Sequence, residues 1–167
     1  MSAGASAHRD QGLELELVPH VGVGPFRFRM PVGQARDAAA GWDVFRVAPA
    51  PGAPAQIHLT HDPSGLGVSL GFTKGALSDV EVFRFWQEEA GARVLLDGLD
   101  VFRTPSDDLR GRLAERGHAV GEDDGLGFDA LPGLDVILAH ESGHRHPVDE
   151  EGRPLHYDYV LLAERLG

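Results

Sequence analysis

The chain has no cysteine among its 167 residues. That excludes disulfides, thiolate zinc sites, iron–sulfur clusters and cysteine nucleophiles together. Lysine is almost missing as well: Lys74 stands alone against fourteen arginines, a bias that fits a high-GC bacterial genome. Basic residues number 15 against 26 acidic ones, for a formal net charge of −11. Phosphate backbones are held by clustered Lys and Arg, so nucleic acid is not the expected partner. No window approaches the roughly 18 apolar residues of a membrane span. Residues 1–12 are small and polar, without the apolar stretch of a secretory signal. They read as a disordered terminus in a cytoplasmic protein with no membrane partner.

What is present is enough for one core. Hydrophobic residues make up 42% of the chain, and a chain of this size can bury about two thirds of its unfolded surface. Leu13, Leu15 and Leu17 alternate with Glu14 and Glu16, the period-2 pattern of a half-buried strand. Phe26 and Phe28 alternate with arginines in a second short strand. Gln56–Thr60 and Leu66–Phe72 flank a turn, His61-Asp62-Pro63-Ser64-Gly65. Further strands are expected at 80–85, 95–96 and 101–103, and a final hairpin from 134–140 and 155–162. Helices are expected at 32–40, opened by Pro31, and at 105–116, with Thr104 as N-cap, Pro105 in the first turn and Gly117 as the stop. The class is α+β: mainly antiparallel sheet with two short helices, in a single domain over 13–167.

Two segments echo each other. Gly24, Phe28, Arg29, Pro31, Arg36 and Ala40 correspond to Gly98, Phe102, Arg103, Pro105, Arg110 and Ala114. In each, a glycine precedes a short strand, and Phe-Arg-x-Pro opens a helix. The spacing suggests related halves at 13–90 and 91–167, whose sheets join into one binding surface. The stretch Phe26-Arg27-Phe28-Arg29-Met30-Pro31-Val32-Gly33-Gln34-Ala35-Arg36 also resembles the opening of the small helix-then-sheet modules of the β-lactamase-inhibitor-protein and outer-membrane-assembly-lipoprotein group. Paired modules of this kind resemble small actinobacterial immunity-type proteins too. Arg29 stands where the group usually has Gly, and Pro31 where it has Ser or Thr. The resemblance implies a helix on an antiparallel sheet that binds protein partners; it transfers no site residue.

The sharpest chemical motif is His140-Glu141-Ser142-Gly143-His144. On a helix, the two histidines would share a face and hold zinc, with Glu141 as general base and His156 as one candidate third ligand. Against this, nine His and eleven Glu make a chance match on the order of a few per cent. Ser142, Gly143 and Pro147 weaken any helix, and the flanking alternation favours a strand running into a loop. No nucleophile or phosphate-binding motif is found. Two acidic clusters, Glu122-Asp123-Asp124 and Asp149-Glu150-Glu151, read as solvated turns or as a surface for a basic partner. Trp42, Phe45, Phe83, Phe85 and Trp86 read as core rather than as a ligand cage. Two functions follow: a non-enzymatic, acidic interaction protein of immunity type that binds another protein and needs no cofactor, or a small zinc-dependent hydrolase using His140, His144 and His156.

Overall fold

A computed structural model describes residues 13–40, 43–47, 56–118, 120, 128–131, 133–140 and 146–164. The fold is α+β, with two mainly antiparallel sheets and two helices. Strands β1 (Glu14–Val18), β2 (Gly22–Val23), β3 (Phe26–Arg27), β8 (Arg93–Leu96) and β9 (Leu99–Asp100) form a five-stranded sheet in the order β3-β2-β1-β8-β9. Within it only β1 and β8 run parallel. Strands β4 (Asp43–Val47), β5 (Gln56–His61), β6 (Leu66–Thr73), β7 (Ala76–Phe83), β10 (Phe128–Leu131), β11 (Val136–Ala139) and β12 (Tyr159–Ala163) form a seven-stranded antiparallel sheet in the order β10-β11-β12-β7-β6-β5-β4. Helices α1 (Val32–Ala38) and α2 (Ser106–Glu115) fall inside the two expected stretches.

Local chemistry explains the turns. Lys74-Gly75 and Asp97-Gly98 all have positive φ, the mirror-image turn that suits a two-residue hairpin. Gly117, at φ +87, ends α2, with its N–H on the Ala114 carbonyl at 3.0 Å. Three expectations shift. Phe28 leaves its strand because Arg29 adopts φ +75. Residues 101–103 are a turn rather than a strand, because the Asp100 carboxylate accepts the N–H groups of Phe102 at 3.3 Å and Arg103 at 3.1 Å. Pro105, not Thr104, is the N-cap of α2. The Ser106 N–H instead donates to the Leu155 carbonyl at 2.8 Å, so a distant loop satisfies the helix end that a threonine side chain would have served.

The element order runs twice: hairpin β2–β3, α1, β4–β7, then hairpin β8–β9, α2, β10–β12. In register, Val23 pairs with Phe26 and Leu96 with Leu99, while Pro31 and Pro105 cap the helices. Phe26 thus stands in its hairpin where Leu99 stands in the other, and the second run holds one more residue before its proline. The last strands of the two runs, β7 and β12, pair antiparallel and join both into the larger sheet. One face of that sheet packs on the smaller sheet and the helices through Ile57, Leu59, Leu70, Val80, Val82, Leu138, Val160 and Leu162. Leu15, Leu17, Val94, Leu96, Ala35, Leu109 and Leu113 meet them from the other side, with Phe26, Phe85 and Phe102 between.

Phe102 is fully buried, whereas Phe28 is half-buried at the core's edge. Phe102→Ala is therefore expected to cost ~3–5 kcal/mol in urea unfolding, and Phe28→Ala distinctly less. Equal losses would show that the two turns bear the same load.

Candidate functional site

Strand alternation sends a second set of side chains to the outer face of the large sheet. By register, Gln56, His58 and Thr60 on β5 stand beside Gly71, Ser69 and Gly67 on β6. These in turn stand beside Asp79, Glu81 and Phe83 on β7, and then Ala163, Leu161 and Tyr159 on β12. Ile137 and Ala139 continue the face on β11. At these positions on β5–β7, β11 and β12 there is no Lys or Arg; on the edge strand β4, Asp43 is the register partner of Thr60 and Arg46 that of His58. Glu81 accepts the Tyr159 hydroxyl at 2.5 Å, and Asp79 lies over Gly71, where a Cβ would meet its carboxylate at 2.3 Å.

At one end the face deepens into a hollow of about 550 Å³ lined by His58, Leu59, Thr60, Gly65, Gly67, Val68, Phe83 and Trp86. Phe83 is 38% and Trp86 48% exposed, which corrects the expectation that both belong to the core. Phe85, between them, is fully buried as expected; the structure does not describe the side chains of Trp42 and Phe45. Phe83 tilts against Tyr159 at 5.4 Å between centroids, and Trp86 stacks on His146 at 5.3 Å. Across Ser64, the turn at 61–65 is capped by His61, whose Nδ1 lies 2.8 Å from Ser64 Oγ.

Behind the hollow sits Arg84, its side chain 1% exposed. It donates to both oxygens of Glu88, to the Phe102 carbonyl at 2.9 Å and to His146 Nδ1 at 3.2 Å. The hydrogen bond from Arg84 holds the Glu88 carboxyl below its ordinary value. Arg84 and Arg103 both lie over the Phe85 ring, at 4.4 and 4.3 Å. Beside them the His156 imidazole is held below its ordinary value, first by burial and then by Arg84, and its Nδ1 has no hydrogen-bond partner among the described residues.

The histidines proposed as metal ligands lie in different surroundings. His140 Nε2 is 2.9 Å from Ser106 Oγ, and its ring lies flat on Tyr157 at 4.7 Å. Tyr157 donates to Asp129 and accepts from Arg110 at 3.0 Å; burial, then Asp129, push its phenol far up, so it stays a donor. His156 instead faces Arg84, Glu88 and Arg103. Glu141 and His144 lie outside the described residues, within which no group of three metal-ligating side chains occurs. The Ser106–His140 pair was not legible in the sequence, since the residues lie 34 apart. It resembles a nucleophile and its base, yet Ser106 is only 6% exposed and closed to a substrate in this arrangement.

Of the acidic clusters, Glu122, Asp123 and Asp124 lie outside the described residues. Asp149 is occupied by its own loop, accepting the N–H groups of Glu151 and Arg153 at 2.9 Å each, while Arg153 bridges it to Glu151. Glu150 is exposed. A second hollow, of about 710 Å³, is lined by His20, Phe28, Arg29, Asp135 and Glu164. Its His20–Asp135 and Arg29–Glu164 pairs close across the two runs of elements, a latch more than a seat.

A pH dependence follows. The unfolded chain takes up a proton on His156 near pH 6.5, while the folded chain resists it. Stability from this group is full above that value and is lost as pH falls through the folded pKa. His61, also lowered, chiefly by burial, acts in the same sense. Urea midpoints should drop from about pH 7.5 to about pH 5, and His156→Phe should flatten part of the drop. An unchanged slope in that variant would exclude His156 as a source.

Comparison with protein-family models, with curated proteins and with solved structures finds no match to this chain.

Proposed function

We propose that the protein binds a basic protein on the outer face of its seven-stranded sheet and acts by occluding it, as immunity-type inhibitors do, without chemistry of its own. The observation that carries this is a broad sheet face bearing Asp79 and Glu81, with exposed aromatics at one end and no Lys or Arg at the outward positions of β5–β7, β11 and β12; on the edge strand β4, Arg46 is the register partner of His58. A net charge of −11 draws a basic partner to such a surface and repels nucleic acid and anionic membranes. Among the described residues no helix is long and apolar enough to cross a membrane. The module group that the 26–36 stretch resembles also works through protein partners. The acidic residues 122–124 and 149–151 would add to the long-range field rather than to the contact.

The test is a reconstituted complex. Immobilised protein at low salt should retain a protein of pI above about 9. Its binding should protect β5–β7 and β12 from hydrogen exchange, and Glu81→Lys should weaken it by about tenfold or more. Protection confined to the five-stranded sheet and helices, or no basic protein retained, overturns the reading. The zinc-hydrolase alternative is tested separately. With His140 Nε2 committed to Ser106, mild purification should give no stoichiometric zinc, and His140→Ala should leave partner binding intact. One tight equivalent of zinc, lost together with a hydrolytic activity in Glu141→Gln, would replace the binding function with the enzyme.

A further inference from the structure

Resting on that reading, we infer that the hollow between Phe83 and Trp86 is the seat for an arginine side chain of the basic partner. Its floor is made by residues without side chains: the Phe83 ring lies over Gly67, at 3.5 Å from where a Cβ would stand. Trp86 lies over Gly65, where a Cβ would stand 2.6 Å from its Cδ1 and where φ is +75. Two aromatic surfaces therefore wall a space of about 550 Å³, with His58 and Thr60 beyond them. Aromatic faces carry negative potential and attract cations; a planar guanidinium can stack on them while its edge N–H groups remain free to bond. No Lys or Arg is among the described lining residues; Arg46, on the edge strand β4, is the register partner of His58. On the same strand, two residues from Phe83, Glu81 adds a carboxylate to the face.

The second point is rigidity. An exposed tryptophan normally loses rotamer freedom when it is bound, at a cost of about 0.5–1.5 kcal/mol. Here that freedom is already restricted. The backbone N–H groups of Trp86 and Gln87 donate to the Ser64 carbonyl at 2.8 and 3.0 Å, which fixes the backbone from which the indole projects. The indole stacks on His146, and His146 is itself held by buried Arg84. A large apolar ring kept half in water and braced from behind is the arrangement of a binding anchor.

The experiment uses the full chain carrying Trp42→Phe, so that Trp86 is the only tryptophan of the two in the sequence. The probes are three blocked tripeptides, acetyl-Gly-X-Gly-amide, in which X is arginine, citrulline or leucine. The arginine peptide should change Trp86 emission saturably and bind at least about tenfold more tightly than the citrulline peptide, which keeps the shape but loses the charge. Phe83→Leu, which keeps an apolar side chain without the ring, should weaken it several-fold while circular dichroism stays the same. Leucine binding as tightly as arginine, or no saturation at all, overturns the inference. So does calorimetric binding of the arginine peptide that survives Trp86→Ala and is lost in Glu81→Gln; that outcome would leave the sheet-face reading standing. A footprint of the partner away from this face, with the arginine peptide still seated at Trp86, would instead remove the reading and keep the seat.

Discussion

The structure depends on how one buried charge is satisfied. Arg84 follows β7 into the interior, and a guanidinium cannot shed its proton there, so its N–H groups must find acceptors. The acceptors are Glu88, the Phe102 carbonyl and His146 Nδ1, with the Phe85 ring against the guanidinium face. Each belongs to a different segment. Glu88 fixes the 84–92 loop, Phe102 the turn before α2, and His146 the long segment returning to β12. Because arginine only donates, His146 must offer a lone pair at Nδ1, and this sets its tautomer and the orientation of the ring on which Trp86 stacks.

Arg103 completes the brace from the other side. It reaches three backbone carbonyls of the same loop, Glu88 at 3.0 Å, Ala90 at 2.6 Å and Ala92 at 3.0 Å. A loop with few hydrogen bonds of its own is thereby given donors from the second run of elements. The same logic recurs at Tyr157, where Asp129 and Arg110 hold the phenol that supports His140. Arg84 and Arg103 cross between the two runs, whereas the Tyr157 cluster ties α2, β10 and the segment before β12 together within the second. Charge burial of this kind is weak support for stability but strong support for one particular arrangement.

Elements with local causes were legible in the sequence. The β1 alternation, the turn at 61–65, the Pro-led helices and the Gly117 stop are each written within a few neighbouring residues. The α+β class followed from them. The echo around Pro31 and Pro105 is visible in the sequence, but in the two hairpins Phe26, which pairs with Val23, stands at the position that Leu99, which pairs with Leu96, holds in the other, so a one-residue difference puts the phenylalanines out of step. The site was not legible, for a different reason. Phe83, Trp86 and Tyr159 have core-like residue types, and only the pairing of β7 with β6 and β12 decides that Phe83 and Tyr159 face outward. Likewise Ser106 and His140, or Arg84 and His146, meet only after the chain has folded. The acidic runs that drew attention as charge patterns prove to be locally paired at Asp149, whereas the carboxylates on the broad face, Asp79 and Glu81, sit at alternate positions of the single strand β7.

That contrast between the two faces of one sheet bears on function. The inner positions of β5–β7 and β12 are aliphatic, and they meet aliphatic partners from the smaller sheet and the helices. The outer positions are Gln56, His58 and Thr60 on β5, glycine and serine on β6, Asp79 and Glu81 on β7, and Leu161 and Ala163 on β12, with Phe83 and Tyr159 at one end only. Small residues there do little for the fold, since Gly67 and Ser69 in a strand interior weaken it relative to β-branched residues. What they provide is a low floor beneath Phe83 and beside Trp86. A larger side chain at position 65 would collide with the indole and, at φ +75, would also strain the turn. The sheet therefore gives up strand-favouring residues at the positions that keep the hollow open, and a buried arginine, hydrogen-bonded through all three of its nitrogens, holds the hollow's exposed wall in place.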